Sequence, residues 1–389
     1  MATTTVISGV QYSGIWNISS QANAKAAGTW PLAGGGALYV WGTGGGGRLG
    51  LGNTTDYSSP KQLGALRNWL SAAGGYTWSL AVYANNSLWT WGPNSLGQLG
   101  LGNTTSYSSP KQVGSLQNWS SNTVAGAYSA TSIKTDGTLW TWGYNGDGQL
   151  GLGNTTYYSS PKQVGALTNW SKVSSGFYHV LALKTDGTLW AWGKNTNAGQ
   201  LGDNSTSNKS SPVQVGALTT WLQISGGRYC SYGLQTNGTL WSWGNNAYGQ
   251  LGLGNTTYYS SPKQVGAGTD WAGVYGAGPI GYHVIAIKNN GTLWAWGRNE
   301  YGQLGDGSTT YRSSPVQIGA LTTWSSSASG RLSSLAIKTD KTLWSWGFNP
   351  YGNLGLGNTT NYSSPKQVGS STNWLSVAAG SYHVLATTT

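Results

Sequence analysis

Apolar and polar residues along this chain form short runs that return at a fixed interval. In the copy that starts at Asn169, Asn-Trp-Ser-Lys-Val (Asn169–Val173) is followed by Tyr-His-Val-Leu-Ala-Leu-Lys (Tyr178–Lys184). A Thr-Asp-Gly turn (Thr185–Gly187) then leads into Thr-Leu-Trp-Ala-Trp (Thr188–Trp192), a Gly- and Asn-rich loop, and a segment around Pro212–Val215. The first three runs are strand-length, rich in β-branched or aromatic residues, and bounded by Gly, Asn and Ser. The fourth, commonly Ser-Pro-Lys-Gln-Val, carries a proline and often a lysine, which suit an outer edge strand. The Trp-Gly that closes the third run falls at Trp41, Trp91, Trp142, Trp192, Trp243, Trp296 and Trp346, at intervals of 50, 51, 50, 51, 53 and 50 residues. A period of about fifty is the mark of a repeat architecture.

Four antiparallel strands repeated seven times predict an all-β, seven-bladed β-propeller of four-stranded blades. Asp-Gly or Asn-Gly between the second and third runs, as at Asp186-Gly187 and Asn237-Gly238, supplies the positive φ angles of a tight hairpin. The first Trp-Gly, within Ala37–Gly42, has no second-strand run before it, and Asn373–Val377 and Tyr382–Thr387 have no third or fourth run after them. One blade is therefore expected to be closed by two strands from each end of the chain. Residues 35–389 form one ring in this reading, and residues 1–34 a separate anchoring or strapping segment.

The repeated Gly-x-Tyr-His-x-Leu-Ala, Asp-Gly-Thr-Leu-Trp-x-Trp-Gly and Asn-x-x-Gly-Gln-Leu-Gly (for example Asn145–Gly151) resemble the repeats of the regulator of chromosome condensation family. The resemblance runs from about residue 35 to the C-terminus and implies a seven-bladed propeller. It also implies a nucleotide-exchange factor for a small GTPase or a chromatin-binding role. Short, uniform connections and few acidic residues fit exchange poorly, and one fold serves many tasks.

Composition narrows the chemistry. Of 389 residues, 62 are Gly, 23 are Trp and only 7% are charged. Most of the Trp recur within the repeat, and the expectation is that they fill the space between blades, with sugar stacking as the alternative. Lys and Arg outnumber Asp and Glu by 20 to 9, an excess that can attract polyanions. Lys61, Lys111, Lys162, Lys263 and Lys366 recur in the fourth strand, however, and Lys134, Lys184, Lys288 and Lys338 end the second. Spread around the ring in this way they read as a solvated surface, with no specific nucleic-acid site. The single cysteine, Cys230, excludes an intramolecular disulfide.

No catalytic set is legible. His179, His283 and His383 share one slot with Trp78, Ser129, Cys230 and Ser333, so they read as packing or hydrogen-bonding residues and not as metal ligands. Asp136, Asp186 and Asp340 sit in hairpin turns, Glu300 is the only Glu, and no paired carboxylates, zinc spacing or nucleophile motif is present. Gly-Gln-Leu-Gly-Leu-Gly lacks the lysine and the helix of a phosphate loop. The expectation is a protein that is not an enzyme and carries no metal or cofactor.

Two binding features stand out. Asn-Thr-Thr-x-Tyr-Ser-Ser-Pro-Lys recurs five times and places Tyr57, Tyr107, Tyr158, Tyr259 and Tyr362 in equivalent loops. A repeated aromatic with amide and hydroxyl neighbours suits a repeating host-surface glycan, through multivalency; recent duplication would copy a purely structural loop just as faithfully. The second feature is the leader. Tyr-Ser-Gly-Ile-Trp (Tyr12–Trp16) and Ala-Ala-Gly-Thr-Trp-Pro (Ala26–Pro31) resemble the N-terminal segments of tailed-phage virion proteins. That resemblance implies assembly with other virion proteins through residues 1–34, with Tyr12, Trp16 and Trp30 as anchors. The start lacks the basic and apolar parts of a secretory signal, and no run nears the ~20 apolar residues that span a bilayer. The function expected from these features is a virion structural protein of tail or capsid surface, made in the host cytoplasm without a signal peptide or membrane insertion. An interaction scaffold or exchange factor is the alternative.

Overall fold

The computed structural model describes residues 36–389 apart from 197, 277, 279 and 280. The expectations placed on Tyr12, Trp16, Trp30 and the rest of residues 1–34 lie outside the described residues. Seven four-stranded antiparallel sheets follow one another around a ring. In the blade that begins at Trp170 the strands are Trp170–Ser175, His179–Lys184, Leu189–Gly193 and Lys209–Gln214, paired in that order. First strands from all seven blades meet around the axis, where Gly74, Ala125, Ser175, Gly226, Gly276, Ser329 and Ala379 line one central channel. Fourth strands form the outer edges, as the Pro-Lys segments predicted.

The closing blade is shared between the ends of the repeat. Its strands are Trp374–Ala379 and His383–Thr388, then Leu38–Gly42 and Tyr57–Gln62. Leu38 pairs with Thr387 and Gly42 with His383.

The core lies between blades. In one cluster Leu234, Leu240 and Val265 of one blade pack on Trp271, Val284 and Trp296 of the next, and six further clusters repeat the scheme around the ring. In five of the seven blades the first-strand Trp meets the Trp-Gly indole edge to face, as Trp119 does Trp142 with ring centroids 5.8 Å apart. Such pairs add about 0.5–1.5 kcal/mol beyond burial. The Trp-Gly indole also donates across the blade boundary: Trp142 Nε1 to the Gln98 carbonyl, 2.9 Å, and Trp243 Nε1 to that of Gln200, 2.9 Å. The Gly-Gln-Leu-Gly loops are thus braces between blades. Their leading Asn closes them: Asn145 Oδ1 accepts from the Leu150 N–H, while its Nδ2 donates to the Asn154 and Thr156 carbonyls.

Two details differ from the sequence reading. In the hairpins only the second turn residue has positive φ, 79° at Gly137 and 77° at Gly187. Gly137 N–H donates to Lys134 O and Lys134 N–H to Thr138 O, a type I turn followed by a bulged glycine. Asp136 instead accepts from the Thr138 N–H and hydroxyl. Two of the lysines that end second strands are also not part of a solvated surface. Lys134 is 5% exposed and Lys184 9%, with each ammonium lying over indole rings, Lys134 Nζ 3.8 Å from the Trp140 centroid and Lys184 Nζ 3.7 Å from that of Trp190.

Candidate interaction face

The five loop tyrosines begin fourth strands, on five different blades. The ring's spacing keeps them apart on its outer edge, so they form no common site. Each hydroxyl receives a long hydrogen bond from the Asn four residues earlier, 3.3 Å at Asn53–Tyr57 and 3.4 Å at Asn103–Tyr107. Each ring also lies under the Lys of its own strand, Lys61 over Tyr57 at 5.5 Å and Lys162 over Tyr158 at 5.3 Å. Tyr57, Tyr107 and Tyr259 pack against inter-blade clusters. These contacts give each repeated tyrosine a role in its own loop and strand.

The three histidines are buried and hydrogen-bonded. Their Nε2 atoms lie 2.8 Å from Ser231 Oγ (His179), 2.8 Å from Ser334 Oγ (His283) and 3.0 Å from Ser79 Oγ (His383), each serine on the following blade. Desolvation holds all three far below the ordinary imidazole range, at about 3, so they are neutral. Among the described residues no group of three or more His, Cys, Asp or Glu could hold a metal ion.

A different arrangement emerges at the end of the blades where first strands turn into second strands and third strands lead out to fourth. Tyr76, Tyr128 and Phe177 come from three successive blades and touch over the channel mouth, with Tyr76–Phe177 at 6.0 Å and Tyr128–Phe177 at 6.2 Å. Phe177, 8% exposed, is the buried centre of this group. From it the aromatics continue outward through Tyr178 (4.4 Å), Tyr144 (5.6 Å) and Tyr157 (4.8 Å). In the other direction Arg228 lies over the rings of Phe177, Tyr229 and Tyr282, at 5.1–5.5 Å. Arg298 sits over Tyr248 and Tyr282. Farther round the ring, Arg331 Nη1 donates to the Tyr382 hydroxyl at 2.7 Å, and Tyr382 packs with Tyr351 and Phe348.

Charge on this face is unbalanced. Lys194 pairs with Asp147 and Arg298 with Glu300. Arg228 and Arg331 take part in none of the ion pairs among the described residues. Arg228 Nε is buried without a hydrogen-bond partner. Burial, reinforced by neighbouring phenols, pushes Tyr144 and Tyr178 up to about 12, so their hydroxyls stay protonated at any working pH. The face therefore presents phenol rings and donors around cations that lack counter-charges.

The repeat pattern conceals these residues because it averages the copies. Tyr76, Ala127, Phe177, Arg228, Arg331 and Ser381 occupy one slot of the repeat, between its Gly and the second strand. The signal that could have found them is the spread of residue types in that slot, against the Gly before it in six copies and the Tyr after it in five.

Residues 37–386 match the RCC1-like domain. The chain is 34% identical to the ultraviolet-B receptor UVR8 of Arabidopsis thaliana over 293 residues, which are 73% of this chain and 66% of that protein. It is 29% identical to the human E3 ubiquitin-protein ligase HERC2 over half of this chain and 4% of that one. The chain thus spans less than two thirds of these relatives. Among solved structures, Prp20p of Saccharomyces cerevisiae superposes with a TM-score of 0.79 at 20% identity, covering 90% of this chain and 91% of that one. Human WBSCR16 gives 0.79 at 22%, covering 90% and 98%.

Proposed function

The chain belongs to the RCC1-like domain family, and from that premise we propose that it is a non-enzymatic interaction scaffold that docks a protein partner on its tyrosine–arginine face. The observation that carries this reading is Arg228, flanked by Phe177, Tyr229 and Tyr282 with no carboxylate of its own. Tyr and Arg, with Trp, are the residues enriched at the energetic centres of protein interfaces. A partner that offers Asp or Glu to Arg228 and Arg331 supplies the charge this face lacks. The relatives support an interaction role in general and no single partner, since one is named a receptor and another a ubiquitin ligase. Affinity capture with the full chain, compared with an Arg228→Glu/Arg331→Glu variant, tests the face. Partners held by the first and released by the folded second support it; equal capture by both ends it.

Two narrower readings are kept as proposals. Nucleotide exchange on a small GTPase is the first, and it rests on the resemblance of the repeats to the regulator of chromosome condensation family; exchange assays against a panel of small GTPases decide it. Mounting on a phage particle through residues 1–34 rests on the leader sequence, and glycan contact at the outer tyrosines on the repetition of their loops. Mass spectrometry of purified particles decides that one, and absence from the virion ends it.

A further inference from the structure

Away from the tyrosine–arginine face, toward the hairpin ends of the blades, the ring carries a second kind of site. A cavity of about 350 Å³ opens between two blades against Leu101, Leu116, Trp119, Lys134, Trp140 and Pro161. The next boundary repeats it at about 420 Å³ with Leu152, Leu167, Trp170, Lys184, Trp190 and Pro212. Both fall at the small end of the range for ligand pockets, with room for one ring.

Each of these two cavities holds unspent polar groups. Lys134 and Lys184 are more than nine-tenths buried, and neither joins an ion pair among the described residues. Their ammonium groups lie instead against indole faces, Trp119 and Trp140 for one and Trp170 and Trp190 for the other. Cation–π contact offsets part of the cost of burying a charge but supplies no counter-charge. Trp119 and Trp170 add buried Nε1–H donors that have no acceptor. At the corresponding site beside Asp270 the need is met internally, because Lys288 Nζ lies 3.2 Å from Asp270 Oδ2. Asp136 and Asp186 act on Lys134 and Lys184 from beyond ion-pair contact, so neither cavity has a carboxylate touching its ammonium as Asp270 touches Lys288.

We propose that the Lys134 and Lys184 cavities bind small organic carboxylates that carry one apolar ring face, the carboxylate meeting the ammonium and the ring lying against the indole, leucine and proline walls. A uronic acid unit of a polysaccharide and a free alicyclic acid share this chemistry. The chain contains its own control: the cavity lined by Tyr39, Trp374 and Thr388, about 410 Å³, has comparable walls with threonine in place of the lysine.

Saturation-transfer NMR on the full chain tests this with four probes: glucuronate, glucose, cyclohexanecarboxylate and cyclohexanol. The expected result is binding of an acid with a dissociation constant on the order of 1 mM, at least about tenfold tighter than its neutral counterpart. A Lys134→Met/Lys184→Met variant, its fold checked by circular dichroism, should lose that preference. Should the variant fail to fold, Lys134→Gln/Lys184→Gln replaces it, because Gln235 fills the same slot in another blade. Glucuronate binding alone identifies a sugar ligand, and cyclohexanecarboxylate binding identifies the broader class. Equal binding of acids and neutral probes, acid binding unchanged in the variant, or no acid binding overturns the proposal.

Discussion

His179 Nε2 lies 2.8 Å from Ser231 Oγ on the neighbouring blade, and that same hydroxyl donates to the Gln200 carbonyl at 2.7 Å. The serine proton is committed to the carbonyl, so its oxygen accepts from the imidazole, which must be the neutral Nε2–H tautomer. His283 with Ser334 repeats the relay, and His383 with Ser79 completes it at the closing blade.

Acid should therefore loosen the ring through these three groups. Their folded pKa is about 3 against 6.5 unperturbed. Below 6.5 the unfolded chain binds more protons than the folded one, so stability is full above that pH and falls as the pH drops toward 3. Each histidine contributes a slope of about 1.4 kcal/mol per pH unit within that window. Urea midpoints measured across it should fall with acid, and a His179→Ser/His283→Ser/His383→Ser variant should start lower and stay flat until carboxylates titrate. Ser129 and Ser333 already occupy this slot in other blades. An identical slope in the variant would show that these histidines do not control acid sensitivity.

Cys230 fills the same slot, fully buried, with its sulfur 3.1 Å from the Tyr232 hydroxyl. Burial pushes the thiol up to about 11, leaving thiolate, the reactive form, scarce at neutral pH. A disulfide-exchange reagent should leave the native protein unmodified and titrate one thiol after unfolding. Prompt modification of the folded chain would contradict the burial.

Lys341 stands where Gly137 and Gly187 stand in other hairpins, and its φ of 62° is one that side chains rarely adopt. Its carbonyl accepts the Trp374 N–H at 3.1 Å, so the first strand of the closing blade holds it there. Left-handed backbone costs a residue with a side chain about 1–2 kcal/mol, and glycine returns roughly 0.5–1 kcal/mol of that in chain entropy. Lys341→Gly should raise stability by about 0.5–1 kcal/mol in equilibrium denaturation. Gly187→Ala should do the reverse and more, because a Cβ at Gly187 would run into the Thr219 carbonyl.

Sequence and structure agree where the copies are alike. Seven Trp-Gly pairs at one period specified blade number, strand order and the shared closing blade. Trp142, Trp192 and Trp243 recur because each indole makes the same bond to the blade before it. The binding face was hidden for the complementary reason. Tyr76, Phe177 and Arg228 meet only because the ring brings slots about fifty and a hundred residues apart to one mouth, and no local pattern encodes that meeting. The lysines misled in another way: Lys134 reads as a strand-end charge, and its burial follows from the two indoles beneath it.

The closing blade also imposes an order on synthesis. Leu38–Gly42 and Tyr57–Gln62 leave the ribosome before every other described strand, yet the inner neighbour of Leu38–Gly42 is His383–Thr388. At about 5–20 residues per second, that edge waits tens of seconds for its mate while six sectors assemble beside it. Nascent chains are most exposed to strand-to-strand aggregation during this interval, and a ribosome that stalls late leaves a nearly complete but unlatched collar.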